Sequence, residues 1–96
     1  MNLICPARIL LPADGQVPAE GERIAQVYAA PSAAEAASRL AEQLGVRLTV
    51  LPKGDEDELQ AIADLHRGET VVLLGVDLGL SLPALIEHTG DGWSAV

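Results

Sequence analysis

The stretch Thr70-Val71-Val72-Leu73-Leu74 is an uncharged run, rich in β-branched residues and leucine, that lies between Gly68 and Gly75. A strand with apolar residues on both faces is typical of the centre of a parallel sheet, because helices cover such a sheet on both sides. The run therefore predicts a central parallel strand, and with it a layered domain in which strands alternate with helices.

An alanine-rich helix is predicted over residues 33–44. Its apolar residues recur at the i, i+3, i+4, i+7 spacing of one helix face, and they are Ala33, Ala36, Ala37, Leu40, Ala41 and Leu44. Ser32 and Glu35 have the spacing of a capping box, and Gly45 follows where a left-handed residue would end the helix. Ser32 is also a nucleophile by residue type, but the capping interpretation accounts for its position.

A second helix is predicted to begin at Asp55 and to end before Gly68, because Asp55 and Glu58 repeat the start signal. Its acidic first turn is explained by the helix dipole, which favours negative charge there. The inward face of this helix consists of Leu59, Ile62 and Ala63, with either Leu65 or His66 completing the stripe.

The remaining elements complete the alternation of strands and helices. A third helix is predicted over about residues 82–89, with Pro83 in its first turn and Gly90 beyond its end. Three more stretches have strand-like residues, and they cover residues 8–11, 24–28 and 46–50. The prediction is a single α/β domain over residues 1–96: a small three-layer α/β/α domain with a four-stranded, mainly parallel sheet.

Composition and charge narrow the function classes. Fourteen acidic residues against six basic ones give a net charge of −8. This balance argues against nucleic acid and anionic membranes as partners, because both attract clustered positive charge. No apolar run approaches the roughly 20 residues of a membrane span, and no signal peptide is seen, so a cytoplasmic location is expected. The single cysteine, Cys5, is interpreted as either a buried apolar residue or a redox-active thiol.

Three segments at the predicted strand ends have a shared pattern. They read Arg8-Ile9-Leu10-Leu11-Pro12-Ala13-Asp14-Gly15-Gln16, Val27-Tyr28-Ala29-Ala30-Pro31 and Gly68-Glu69-Thr70-Val71-Val72-Leu73-Leu74-Gly75-Val76. In this order the segments resemble the histidine phosphatase superfamily, which includes the cofactor-dependent phosphoglycerate mutases. Members of that family have Arg-His-Gly after the first strand, Ser-Pro after the second, and a histidine after a strand that begins with Gly-x-Thr-Val. The resemblance extends from about residue 8 to residue 90.

The catalytic positions of that family are changed in this chain. The phosphorylated histidine corresponds to Asp14, its partner arginine to Ala13, the second arginine to Ala34 and the second histidine to Val76. The segment that carries the family's acid/base glutamate is shortened to the loop around residues 53–54. Phosphoryl transfer requires a nucleophile and cations that neutralise the transferred group. The resemblance therefore implies a pseudoenzyme, and the chain is predicted not to be an enzyme.

The turns after the strands still offer a candidate ligand site, because ligands of open α/β sheets bind at the carboxyl ends of the strands. Asp14, Gly15 and Asp77 lie in two such turns, and two carboxylates could hold a hard divalent cation or an amine. The simpler interpretation is that Asp14 and Gly15 form a turn and that Asp77 lies in a glycine-bounded loop. No resident metal and no cofactor are predicted.

Two aromatic residues and two histidines complete the candidates. Trp93 and Tyr28 are predicted interface residues; Trp93 is expected in a flexible tail that either packs back on the domain or anchors a partner subunit. His66 and His88 are expected near helix C-termini, where an imidazolium complements the helix dipole. A chain this short and this rich in alanine is compatible with a homodimer.

These features predict a non-catalytic, pseudo-phosphatase-like domain that acts through protein–protein contacts or structural association, with an unidentified protein partner. The alternative is a small-molecule or cation-binding domain that uses the turns of Asp14 and Asp77. A third hypothesis is an enzyme with new chemistry in the same pocket, which a phosphatase assay would distinguish from the other two.

Overall fold

The chain folds into one mixed β-sheet with a helix packed against each face. The computed structural model describes residues 6–12, 23–76, 84–89 and 92–95. In chain order the elements are β1 (Ala7–Leu11), β2 (Ile24–Ala29), α1 (Ala34–Leu44), β3 (Leu48–Val50), α2 (Glu56–Leu65), β4 (Thr70–Leu74), β5 (Ala84–Thr89) and β6 (Gly92–Ala95). The order of the strands across the sheet is β3-β2-β4-β1-β5-β6.

The first four strands of the chain form the parallel part of the sheet. β2 pairs with both β3 and β4, β4 also pairs with β1, and all three ladders are parallel. β4 lies inside this group, and its last four residues, Val71, Val72, Leu73 and Leu74, are all buried. The prediction of a central parallel strand at this stretch is confirmed.

Residues 84–89 form a strand, and the predicted helix over residues 82–89 is wrong. β5 pairs antiparallel with β1, from Ala7 opposite His88 to Leu11 opposite Ala84. This ladder hydrogen-bonds the edge of β1 that β4 leaves open, and so the backbone groups of β1 are paired on both sides. Proline and glycine bound strands as well as helices. The local signal was therefore ambiguous, and long-range pairing determined the outcome.

The last described residues add one more strand. β6 pairs antiparallel with β5, with Trp93 opposite His88, so Trp93 lies in an edge strand and not in a flexible tail. The described residues thus form a sheet of six strands in a mixed arrangement, whereas four mainly parallel strands were predicted. The coarser α/β class is confirmed.

Helix α1 begins one residue later than predicted and without the expected capping box. A short 3₁₀ turn over Pro31–Ala33 leads into it, and its N-cap residue has no side-chain hydrogen bond. Glu35 instead forms an ion pair with Arg39 one turn further along, with 2.8 Å between Oε1 and Nη2. The end is as predicted, since Gly45 adopts a left-handed conformation with φ of 69°.

Helix α2 has the predicted cap, and its structure shows which of Leu65 and His66 completes the buried face. The Oδ1 atom of Asp55 accepts a hydrogen bond from the Glu58 amide at 3.0 Å. His66 follows the helix as its C-cap residue and is 6% exposed, whereas Leu65 is 69% exposed. The imidazole, and not the leucine, therefore completes the buried face.

Each helix encloses its own half of the core. The α1-side core consists of buried residues from α1, β2 and β4, and they are Ile24, Val27, Ala29, Ala37, Leu40, Ala41, Val72 and Leu74. The α2-side core lies on the other face, and its residues are Ile9, Leu11, Tyr28, Leu51, Leu59, Ile62, Val71, Leu73 and Ile86. Two alanines of α1, Ala37 and Ala41, are buried in the α1-side core.

Candidate functional site

The predicted ligand site lies outside the described residues. Asp14, Gly15 and Asp77 belong to segments that the structure does not describe, and so do Cys5 and Ala13. The predictions made for these residues stay predictions. At the carboxyl ends of the parallel strands the structure describes Pro12 after β1, the turn after β2, the turn after β3 and the start of the turn after β4.

The turns after β2 and β4 are packed directly against each other. The Ala30 amide donates a hydrogen bond to the Leu74 carbonyl at 3.0 Å. Gly75 has a φ of 79°, and a Cβ atom on it would lie 2.7 Å from Cβ of Ala33 and 3.3 Å from Cβ of Ala30. Only glycine fits here, because any side chain would be both strained and in collision with the neighbouring turn. The crevice between these two turns is thus filled by the chain itself.

Two residues that the resemblance would match to family positions lie in the described part of this region. Ala34, which the resemblance would match to the second arginine, is the first residue of α1. Val76, which it would match to the second histidine, is half-buried, and a Cβ atom added to Gly54 would lie 3.2 Å from its Cγ2 atom. Val76 therefore packs against the turn after β3 and contacts the α2-side core.

The turn after β3 contains a small anion-binding arrangement that is already occupied. The backbone N–H groups of Lys53 and Gly54 both donate to Oε1 of Glu58, the former at 2.9 Å. Successive N–H groups that converge in this way bind anions in many proteins. Here the anion is a carboxylate of the same chain, held in place because Asp55 caps the helix that carries it.

A hydrogen-bonded chain of three side chains, two of them buried, lies at the end of helix α2. The hydroxyl of Tyr28 is 2.7 Å from Nε2 of His66, and Nδ1 of the same imidazole is 2.7 Å from Oε1 of Glu69. A carboxylate acceptor places the imidazole proton on Nδ1, so Nε2 accepts the hydrogen bond that the phenol donates. We refer to Tyr28, His66 and Glu69 as the Tyr–His–Glu chain.

The Tyr–His–Glu chain has the order of a catalytic triad but not its accessibility. Tyr28 is 4% exposed and His66 is 6% exposed, so the end that reaches solvent is the carboxylate and not the hydroxyl. Burial, and secondarily the charge of Glu69, raises the pKa of Tyr28 above its usual value. A nucleophile needs a lowered pKa and a path to substrate. The chain is therefore suited to fixing α2 on β2, and no buried side-chain nitrogen or oxygen of the described residues lacks a hydrogen-bond partner.

A shallow apolar groove borders the same tyrosine. Its volume is about 170 Å³, and its lining residues are Tyr28, Leu51, Glu58, Ala61, Ile62 and Leu65. Glu58 is the only charged residue of the lining, and its carboxylate is bound to the turn after β3. The groove therefore offers little polar chemistry with which to orient a substrate.

The second histidine belongs to a cluster at the end of α2 that faces β5 and β6. Arg67 donates from Nη1 to both Nδ1 and the carbonyl oxygen of His88, each at 2.9 Å, and from Nη2 to Asp64 at 3.0 Å. The ring of His88 meets the ring of Trp93 edge-on, with centroids 4.6 Å apart. His88 was expected near a helix C-terminus; it lies on β5 instead, and Arg67 links it to the end of α2.

The two predicted interface residues occupy different environments. Tyr28 is buried in the α2-side core and offers a partner almost none of its surface. Trp93 is half-buried in the edge strand β6. An interface role stays a prediction for both, and Trp93 is the one whose position gives it surface to use.

Sequence reasoning missed the Tyr–His–Glu chain, although two signals for it were present. The helical stripe of α2 left His66 as a candidate for an inward position, and a buried imidazole needs polar partners. Glu69 lies three residues later, within reach across the turn that ends the helix. What sequence could not supply was the packing of α2 over β2, which brings Tyr28 to the same imidazole.

Comparison with known proteins identified no relative: no family model, no curated protein and no solved structure matches the chain. In the described part of the chain, no group of three or more metal-ligating side chains is found. Neither described helix is long and apolar enough to span a membrane.

Proposed function

We propose that this chain is a non-catalytic, histidine-phosphatase-like domain that acts in the cytoplasm through protein–protein contacts. In this proposal the four parallel strands with α1 and α2 correspond to the three-layer α/β/α core that the resemblance implies, and β5 and β6 are an addition at one side. Its protein partner is unidentified, and no nucleic acid or membrane is among the partners we propose.

The close packing of the turns after β2 and β4 carries the proposal. A transferred phosphoryl group needs space and cations at the carboxyl ends of the strands. At this edge the space next to Gly75 is taken by the methyl groups of Ala30 and Ala33. The described residues of these turns, 30–33 and 75–76, include no basic residue, and Asp77, which follows Val76 in the sequence, is acidic. A lack of space and of cations in the described part of this edge supports a role without catalysis.

The turn after β3 supports the same conclusion. The backbone N–H groups of Lys53 and Gly54, which converge in this turn, are already bound to Glu58. A phosphate would have to displace a carboxylate that belongs to the first turn of α2, and so would also disturb the start of that helix.

A phosphatase assay tests the absence of catalysis. The purified chain and its Asp14→Ala variant are incubated with p-nitrophenyl phosphate, with and without Mg²⁺, and release of nitrophenolate is followed. We expect no turnover above the buffer rate from either protein. Turnover by the wild type that Asp14→Ala abolishes would overturn the proposal, because it would identify a working nucleophile at the family's histidine position.

A thermal-shift titration tests the small-molecule and cation alternative. A ligand present at 100 times its Kd stabilises the folded state by about 2.7 kcal/mol. For a domain of this size that corresponds to a rise in Tm of roughly 10–20 °C. We expect inorganic phosphate, phosphorylated sugars, Mg²⁺ and Ca²⁺ to produce no saturable shift. A saturable shift that is lost in Asp14→Ala or Asp77→Ala would replace our proposal with the ligand-binding alternative.

A further inference from the structure

The apolar groove beside Tyr28 has a buried floor and an exposed rim. Tyr28, Leu51 and Ile62 form the floor, because each of them lines the groove and is buried. Ala61 and Leu65 form the rim on α2 and are exposed. Leu65, at 69%, is the most exposed large apolar side chain of the described residues. An exposed apolar surface of this kind, with polar residues around it, is typical of a contact with another molecule.

The volume of the apolar groove limits what it can hold. The groove has about 170 Å³, and a cavity of about 150 Å³ in another protein holds one benzene molecule. Pockets for cofactors and drug-sized ligands have about 300–1,000 Å³. The groove therefore has room for one large apolar side chain, and a protein partner commonly anchors itself through such a side chain.

The charges next to the apolar groove are mostly negative. Residues 55–65, which contain α2, include five acidic residues and no basic one. Glu58 lines the groove. Asp57 and Asp64 are exposed and lie one helical turn from Ala61 of the rim, on either side of it along the helix. A partner that enters the groove therefore passes three carboxylates.

The basic residues that flank α2 in the sequence do not reverse this sign. Arg67 is paired with Asp64, at 3.0 Å from Oδ1, and this pair leaves Asp57 and Glu58 near the groove against Lys53. The carboxylate of Glu58 keeps its charge, because the groups that it binds are neutral backbone N–H groups. The whole chain has a net charge of −8, which adds a negative field at longer range. The electrostatic potential at the groove thus favours a positively charged partner.

We propose that the apolar groove binds a basic segment of a partner protein, in which one large apolar side chain fills the groove and flanking lysine or arginine side chains meet Asp57 and Glu58. This inference rests on the proposed function, because it names the surface and the chemistry of the protein contact. Burial of the apolar side chain provides the affinity, and the charges around it speed association and select the partner by its sign. A second copy of this chain has the opposite property, since it is acidic.

Three blocked pentapeptides separate the contribution of the apolar side chain from that of the charge. They are Lys-Lys-Phe-Lys-Lys, Lys-Lys-Ala-Lys-Lys and Glu-Glu-Phe-Glu-Glu, and each is titrated to about 5 mM into the ¹⁵N-labelled chain while amide chemical shifts are recorded. We expect the first peptide to cause saturable shifts at the amides of Ala61, Ile62 and Leu65. The alanine peptide should bind about fivefold or more weakly, because the buried ring is lost. The glutamate peptide should cause no saturable shift, because like charges repel.

Matched variants of the chain test the location of the contact with the Lys-Lys-Phe-Lys-Lys peptide. Leu65→Ala should raise the Kd about threefold or more, because it removes apolar surface from the rim. Val50→Ala is its control, since Val50 is the other exposed large apolar side chain and is opposite Ala29 of the α1-side core. Asp57→Asn should raise the Kd about two- to fivefold at low salt. Glu42→Gln removes the same charge from an exposed position of α1 and should leave the Kd within about 1.5-fold of the wild type.

Four results would overturn the inference. They are the absence of any saturable shift, equal binding of the phenylalanine and alanine lysine peptides, equal binding of the lysine and glutamate peptides, and shifts that Leu65→Ala does not affect. Sedimentation velocity of the chain alone tests the other occupant: a dimer that Leu65→Ala dissociates would assign the groove to a second copy and also overturn the inference. Circular dichroism checks that the variants fold, as expected for exposed positions.

Failure of this inference is distinguishable from failure of the proposed function. A groove that binds none of the peptides leaves the expected absence of phosphatase turnover as it is. Turnover that Asp14→Ala abolishes would overturn the proposed function without any change in peptide binding at Leu65.

Discussion

Replacing Tyr28 with phenylalanine tests whether the Tyr–His–Glu chain holds α2 on the sheet. The substitution removes one oxygen atom and keeps the ring that packs in the α2-side core. The hydroxyl it removes lies 2.7 Å from Nε2 of His66. Because the two side chains are 4% and 6% exposed, water has little access to the nitrogen that loses its partner.

The expected loss in the free energy of unfolding follows from the unpaired Nε2 atom that the substitution leaves on His66. A buried polar atom without a hydrogen-bond partner costs about 1–3 kcal/mol. No cavity cost of the kind seen for large-to-small substitutions is added, because the ring remains in place. We therefore expect Tyr28→Phe to lower the free energy of unfolding by about 1–3 kcal/mol. For a domain of this size the corresponding fall in Tm is roughly 5–20 °C.

Urea and thermal unfolding, followed by circular dichroism and by Trp93 fluorescence, measure this change. Coincidence of the two signals checks that unfolding is two-state, which the comparison of free energies requires. Glu69→Gln is a graded comparison: the amide oxygen can still accept from His66, and the Glu69 side chain is 51% exposed, so its cost should be smaller. Leu65→Ala is the matched control, because that side chain is 69% exposed and its loss should cost within about 0.5 kcal/mol.

One result would refute the reasoning. If Tyr28→Phe unfolds within about 0.5 kcal/mol of the wild type, the hydroxyl is not a necessary partner of His66 in solution. The three side chains would then share a buried location without forming a stabilising network, and the attachment of α2 would depend on its apolar stripe alone.

Three more predictions test other parts of the structure. Burial raises the pKa of Tyr28 in the folded protein. The stability that its protonated form provides is therefore complete below about pH 10, and it is lost as the pH rises through the raised folded pKa. The phenolate absorbance near 295 nm should appear at a higher pH in the native chain than in the unfolded chain. Gly75→Ala should cost at least about 1 kcal/mol more than Gly45→Ala in urea unfolding, because both have positive φ but only Gly75 is crowded by the turn after β2. Glu58→Ala should lower the free energy of unfolding by about 0.5–2 kcal/mol and Glu56→Ala by less, because of these two residues only Glu58 accepts hydrogen bonds from the backbone N–H groups of the turn after β3. Equal costs for the two glycine variants would contradict the packing of Gly75 against the turn after β2. Equal costs for the two glutamate variants would contradict the role of Glu58 in the turn after β3.

The elements that the sequence predicted correctly are those whose signals are local. The stretch at β4 is apolar on both faces wherever it is placed, and α1 shows its stripe and its terminal glycine within twelve residues. Asp55 caps α2 through an atom three residues away. None of these features depends on knowing where the rest of the chain lies.

The failures concern features set by residues far apart in the sequence. Residues 82–89 contain no local signal that β1 has an unpaired side. The pairing of these residues with β1 nevertheless makes them a strand. The capping box at Ser32 failed for a related reason. The turn after β2 is packed against Gly75, and a 3₁₀ turn over Pro31–Ala33 precedes the helix at that position.

The predicted ligand site lies outside the described residues, so its prediction is untested. Ala34 and Val76 are uncharged, which can be read from the sequence alone, and their correspondence to an arginine and a histidine of the family stays a prediction. The closure of the crevice by Ala30, Ala33 and Gly75 needs the distance between two turns, which only the fold provides.

The turn of residues 66–69 forms hydrogen bonds to residues that are distant in the sequence. His66 binds β2, Arg67 binds β5, and the Gly68 amide donates to the carbonyl of Pro6 at 3.2 Å just before β1. The Glu69 carbonyl accepts from the Arg8 amide at 3.0 Å. A turn of four residues thus fixes the end of α2 to three strands, β1, β2 and β5.

The few aromatic residues of the chain are paired with its two histidines. The chain has one tyrosine, one tryptophan and no phenylalanine, and both rings contact a histidine: Tyr28 contacts His66, and Trp93 contacts His88. An aliphatic core supplies apolar area but no polar partners, so the two aromatic side chains are used where a ring can also meet an imidazole. Tyr28 is buried in this contact with His66. Trp93 is half-buried on β6, and it is therefore the aromatic residue with surface left for the interface role that the sequence predicts.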